Sequence, residues 1–204
     1  LELFQTLEFR TLSRRIQELE LTGSKRDKAF VADRAVSSER PEAATGELVA
    51  ARLVSAHELA TLVAATEGDI PVVVQTQDDG AVAAAVVVAD GVPDGGAAHQ
   101  WVALMRGTAR SLAEALAGRR ICTFDFKSLP DALRSGATVV ADDAMISTYL
   151  LQPSRRTFLL GDILAEEGLA ARVSIAGDDE QLRALAGHAA MLPSLVARQH
   201  EQLE

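Results

Sequence analysis

Three apolar runs follow one another with only turn chemistry between them: residues 70–76 (IPVVVQT), 81–90 (AVAAAVVVAD) and 99–105 (HQWVALM). Asp-Asp-Gly separates the first pair and Gly-Val-Pro-Asp-Gly-Gly the second. Glycine supplies positive φ, while Asp and Pro favour the bend itself, so each spacer reads as a turn. Connections this short join antiparallel neighbours, because a parallel crossover needs a dozen or more residues. The chain is thereby committed to a three-stranded antiparallel meander at its centre.

The flanking segments extend that meander. Residues 48–54 are apolar enough for a strand, and Ser55-Ala56-His57-Glu58 then has the S-x-x-E spacing of a capping box. The helix that it opens runs to Thr66 and ends at Gly68-Asp69. After the meander, residues 110–117 form a short helix stopped by Gly118, and residues 121–124 a buried strand. Ser128, Pro130 and Asp131 start another helix, which Gly136 closes before a strand over 138–141. A helix then begins at Asp142 or Asp143 and stops before Pro153, and residues 157–167 form one more, ended by Gly168. Asp178-Asp179 caps a final helix carrying Leu182, Leu185, Leu192 and Leu195, with a bend at Pro193. A meander continued by strand–helix crossovers predicts an α/β fold, a mixed sheet with three antiparallel strands flanked by helices.

Ahead of this domain, residues 1–21 space Leu3, Phe4, Leu7, Leu12, Ile16 and Leu19 as one helical face. Residues 22–46 hold no sustained period and read as a linker. The domain starts near Glu47 and runs to Glu204. The formal net charge of −9 argues against autonomous nucleic-acid binding, because such affinity rests on Lys and Arg displacing counterions. The basic clusters, Arg14-Arg15, Lys25-Arg26, Arg119-Arg120 and Arg155-Arg156, are each only a pair. No apolar run approaches the roughly 20 residues of a membrane span, and no signal peptide is visible. A lone Cys122 in a strand reads as core packing, consistent with a reducing cytoplasm.

Two stretches carry a resemblance. Asp125-Phe126-Lys127-Ser128-Leu129 follows a strand, and DAMISTYLLQP (residues 143–153) opens a helix. They resemble the G-Q-N-L-K-Y-D-like and F-D-T-M-L-x-x-Y-L-L-x-P-like runs of the 3′–5′ exonuclease domain in bacterial family A DNA polymerases, the DNA polymerase I family. LFQTLEFRTLSRRI near the N-terminus resembles the run closing the 5′-nuclease portion of that family. The resemblance implies a ribonuclease H-like (DnaQ-type exonuclease) fold over residues 47–204, with residues 1–21 as the junction helix. It also implies a 5′-nuclease domain before this piece, a polymerase domain after it, and DNA as a partner through that parent chain.

Exonucleases of that family hold two divalent metals on carboxylates: a D-x-E on the first meander strand, an Asp after the fourth strand, and a Y-x-x-x-D on the late helix. Here Gln75-Thr76-Gln77 fills the first slot, so both carboxylates have become amides. Leu129 fills the second, or Ser128 after a one-residue slip. Tyr149 is the only tyrosine and no Asp follows Asp179, so no late Y-x-x-x-D exists; Arg183 and Gly187 fall in its slots. Amide oxygens bring no charge to offset two dications held close together. Asp78, Asp125 and Asp143 are the substitute carboxylates to weigh, though each also suits a turn, a strand end or a cap. Asp79, Asp131 and Asp142 read the same way, and His57, His99, His188 and His200 are scattered.

The resemblance thus implies a vestigial exonuclease domain acting as a structural spacer, with no cofactor of its own and Mg²⁺ confined to the parent polymerase. Two other readings stay open: an active two-metal 3′–5′ exonuclease using displaced carboxylates, and a protein-interaction module on the same scaffold.

Overall fold

The computed structural model of the chain describes residues 48–77, 80–89, 100–135 and 138–204, all within the unit Ala43–Glu204. The helix expected over 1–21, the linker over 22–46, and Asp78, Asp79, His99 and Gly136 lie outside the described residues.

The meander forms as its turns require. Strands β2 (Ile70–Thr76), β3 (Ala81–Ala89) and β4 (Gln100–Thr108) pair antiparallel, with β3 matched to β4 from Ala81↔Thr108 to Ala89↔Gln100. Pairing along the whole of β3 carries β4 three residues beyond the expected end at Met105. Residues of β3 alternate between two cores, as a period of two dictates. Val82, Ala84, Val86 and Val88 enter one, while Ala83, Ala85 and Val87 enter the other.

The remaining strands add in parallel on both sides: β5 (Arg120–Thr123) beside β2, then β6 (Val139–Asp143) beside β5. At the other edge β1 (Leu48–Leu53) lies against β4, and β7 (Arg172–Ile175) against β1. The result is a seven-stranded mixed sheet in the order β6-β5-β2-β3-β4-β1-β7, in which only β3 runs opposite to the rest. The sequence reading found six of these strands. The seventh is four residues long and follows Gly168; it is stabilised by the free edge of β1, not by any pattern of its own.

Helices α1 (Ala56–Ala65), α2 (Ala109–Ala115) and α3 (Asp131–Arg134) cover one face, where Leu59, Val63, Leu112 and Leu133 are buried. Ser55 caps α1 as its spacing predicts, accepting from the Glu58 backbone N–H at 3.2 Å. The Glu58 carboxylate pairs with Arg52 at 2.8 Å. Gly118 and Gly168 adopt φ of 74° and 65° just past α2 and past α5 (Leu160–Glu166), the left-handed conformation of a helix end that a Cβ would disfavour.

The opposite face is crossed by α6 (Glu180–Leu203), which runs through Pro193 without ending there. Its first half lays Leu182, Leu185, Ala186 and Ala189 on a layer that includes Ala51, Ala83 and Ala85. Alanines on both sides let helix and sheet approach closely. Its second half packs Leu192 and Leu195 with Leu160, Ile163, Leu164 and Ala144, the first residue of α4 (Ala144–Leu151). Each buried leucine contributes about 1.5–3 kcal/mol, so this one helix ties the far sheet edges together. Among the described residues no helix is long and apolar enough to cross a membrane.

Candidate functional site

The corner where β5 and β6 end is organised by one carboxylate. Strand register slips between Ile121↔Val140 and Cys122↔Asp142, leaving Ala141 as an extra residue on β6. The slip sets Asp143 opposite Thr123 at the strand end, where it also becomes the N-cap of α4. One of its oxygens accepts from the Met145 N–H at 3.0 Å and from the Asp125 N–H at 3.0 Å; the other accepts from the Phe126 N–H at 2.9 Å. Only 9% exposed, this carboxylate exchanges its water for three backbone donors. The exchange ties the chain after β5 into a single-turn 3₁₀ helix, Phe126–Ser128. Asp125, just before it, is the one non-glycine residue at positive φ (59°) among the described residues. Its carbonyl accepts from the Ser128 N–H at 3.1 Å and hydroxyl at 2.9 Å.

The residues singled out in the sequence scatter from this corner. Leu129, in the slot of the second-motif Asp, is 4% exposed and belongs to the core under α1 and α2. Gln75 and Gln77 are exposed at the end of β2. Gln75 stands opposite Ala83, and Gln77 closes the hairpin, its N–H donating to the Ala81 carbonyl at 2.8 Å. Gly187 lies on α6 against β7, where a Cβ would meet Val173 Cγ2 at 3.7 Å. In the sheet order β7 is four places from β2, so the late-helix slot and the Gln75–Gln77 slot are not brought together. Arg183 donates to the Gly177 carbonyl at 3.1 Å.

The other acids near the corner are also engaged. Asp142 meets His200 Nε2 at 3.0 Å, and Asp131 pairs with Arg134 one turn along α3. Among the described residues no three His, Cys, Asp or Glu side chains gather around a point where a cation would sit. A two-metal centre needs several anionic oxygens converging on one volume. An exposed pair of amides, a buried leucine and a carboxylate held by backbone N–H groups do not fit it.

Other reactive groups are quiet or structural. Burial, reinforced by the charges of Asp142 and Asp69, pushes the Cys122 thiol up to about 11, so it stays protonated near neutrality. Asp179 caps α6 by accepting from the Leu182 N–H at 3.0 Å and pairs with Arg106. The cap first, then the guanidinium, holds its carboxyl below the usual range.

Sequence reasoning missed two features. Gln199 is buried at 4% and donates to the Ala144 carbonyl at 3.1 Å and to Thr148 Oγ1 at 2.8 Å, fastening α6 to α4. A polar residue in the apolar register of α6 was its only signal. The second is a groove between α5, β7 and α6, into which His188 projects; glycines at 161 and 187 were its only mark in the sequence.

No protein-family model, no curated protein and no solved structure matches this chain.

Proposed function

We propose that this domain is a catalytically inactive, vestigial 3′–5′ exonuclease-like domain of a bacterial DNA polymerase I, with a ribonuclease H-like (DnaQ-type) core. In this reading it is a structural spacer in a cytoplasmic replication and repair polymerase. It meets DNA only through the parent chain, which carries the 5′-nuclease and polymerase domains and uses Mg²⁺ for synthesis. Support for the fold comes from the run β4-β3-β2-β5-β6, a meander whose first strand is flanked by two parallel strands reached through helices. That is the arrangement a ribonuclease H-like sheet calls for. The extra strands β1 and β7 extend its far edge.

The observation that carries the loss of catalysis is the β5–β6 corner. Its one buried carboxylate, Asp143, is committed to three backbone N–H groups, and Leu129 fills core where the family's Asp would face a metal. Without several converging carboxylates, neither the attacking water nor the leaving oxygen is stabilised.

The test is incubation of the chain with an end-labelled single strand and millimolar Mg²⁺ or Mn²⁺. The expected result is no nucleotide release and no rise in thermal midpoint with either cation. Metal-dependent release abolished by Asp125→Ala or by Asp78→Ala would overturn the proposal in favour of an active exonuclease.

A further inference from the structure

Apolar exposure is concentrated at the β6 end of the molecule. Val139, Ile146, Tyr149, Leu150, Leu159 and Leu203 are each between 44% and 60% exposed. Among the described residues only Leu48 and Leu53, both on β1, are large apolar side chains exposed to a similar degree. The fold brings the six to one region. Ile146, Tyr149 and Leu150 follow the i, i+3, i+4 spacing and form one ridge of α4. The Phe158 ring lies 6.1 Å from that of Tyr149, which sets Leu159 beside the ridge. Gln199 on α4 and His200 on Asp142 hold the last turn of α6, with Leu203, against the start of α4. Val139 stands on the edge strand β6, which leads into that helix.

Helix α4 is amphipathic in the reverse sense. It buries Ala144, Ser147 and Thr148 and turns Ile146, Tyr149 and Leu150 outward. Burial of Thr148 needs local partners: its hydroxyl donates to the Ala144 carbonyl at 2.7 Å and accepts from Gln199 at 2.8 Å. A surface helix ordinarily points its apolar stripe at the core, so this ridge faces a partner. Its surroundings are electrically neutral. The eleven residues 144–154 carry no charge, Asp142 meets His200 at one end, and Arg155 pairs with Glu166 at the other. Two copies can meet here with little of the repulsion that a net charge of −9 sets elsewhere.

A half-exposed side chain of this size offers on the order of 100 Å², so the patch amounts to roughly 600 Å², the upper end of what monomeric proteins leave uncovered. Pairing two such patches removes roughly 1,200 Å², the lower bound for specific association. A second copy supplies the matching area and the same neutrality, and one two-fold axis covers both patches at once. We propose that this patch is the interface of a weak, isologous homodimer, with α4 of one copy packed against α4 of the other. The inference does not depend on any nuclease ancestry.

The test is sedimentation velocity of the whole chain from about 5 µM to about 500 µM, with amide shifts followed by NMR over the same range. The expected result is a reversible monomer–dimer equilibrium with a micromolar midpoint, as suits so small an interface. Concentration-dependent shifts should be confined to residues 139–160 and 199–204. Ile146→Gln combined with Leu150→Gln should weaken association at least about tenfold while leaving the thermal midpoint of the dilute chain unchanged, because both positions are exposed. Tyr149→Gln serves if the double variant does not fold. Leu53→Gln, at a similarly exposed leucine on β1, should leave association as it was. Raising NaCl from about 50 mM to about 500 mM should leave it equal or stronger, since salt screens only the repulsion between two acidic copies. A chain still monomeric at the highest concentration, growth beyond a dimer, dissociation by salt, or a dimer that survives the ridge substitutions would each overturn the assignment.

Discussion

The β5–β6 corner and the α5–β7–α6 groove use polar groups in opposite ways. At the corner, Asp143 takes three backbone N–H groups and so fixes a turn, a helix start and a strand end with one side chain. In the groove, the His188 imidazole borders open volume, and its ring makes no hydrogen bond to a described residue. A carboxylate consumed by its own backbone is a structural part. An imidazole without a partner among the described residues has hydrogen-bonding capacity that the described fold does not use. Position in a motif therefore says less about present function than whether a group's hydrogen-bonding capacity is already filled.

That contrast breaks most readily at Leu129. Leu129→Asp installs the carboxylate that the proposed resemblance would place there, but it puts an unpaired carboxylate in the core beneath α1 and α2. It should cost about 4 kcal/mol or more, read as a large fall in the urea midpoint. A variant that keeps its midpoint would mean that Leu129 faces solvent, and the corner would be open to metal after all.

Asp143→Ala comes next, at about 3 kcal/mol, because it removes a helix cap and strands two further donors. Asp143→Asn keeps acceptor capacity on one side only and should lose part of that. If denaturation of Asp143→Ala matched the parent chain, the carboxylate would not be holding the turn.

At the groove the sign reverses. Gly187 sits inside α6 with room for a methyl, so Gly187→Ala should raise stability by about 1 kcal/mol through helix propensity alone. A loss measured by thermal or urea unfolding would show the glycine to be sterically required there.

The smallest effect is a pH slope. Burial depresses the folded-state pKa of His188 below its ordinary 6.5, so in mild acid the unfolded chain binds the proton more readily. His188 therefore lowers stability as pH falls through 6.5 toward the folded value, and has no effect on stability above that window. Paired urea titrations should show a shallower decline for His188→Gln. An unchanged slope would place the imidazole in water.

Much of the architecture is local and was readable. Asp-Asp-Gly forced β2 and β3 into a hairpin, Ser55, Asp143 and Asp179 capped the helices they precede, and Gly118 and Gly168 ended the ones they follow. Each depends on the conformational preference of a few adjacent residues. Less was visible where a segment takes its structure from a distant partner. RVSI became β7 only because β1 left an edge unpaired, and the helix expected over 157–167 shortened to α5 ahead of it.

The amino-acid order by itself determined the meander and the alternation of β3 between two cores, because these are properties of side chains and short spacings. Only the folded chain decided that Asp143 would spend its charge on the backbone of residues 125 and 126 and that His188 would border an open groove. Both outcomes depend on which distant groups arrive within hydrogen-bonding distance, and that is settled by the register of β5 on β6 and the path of α6 across the sheet.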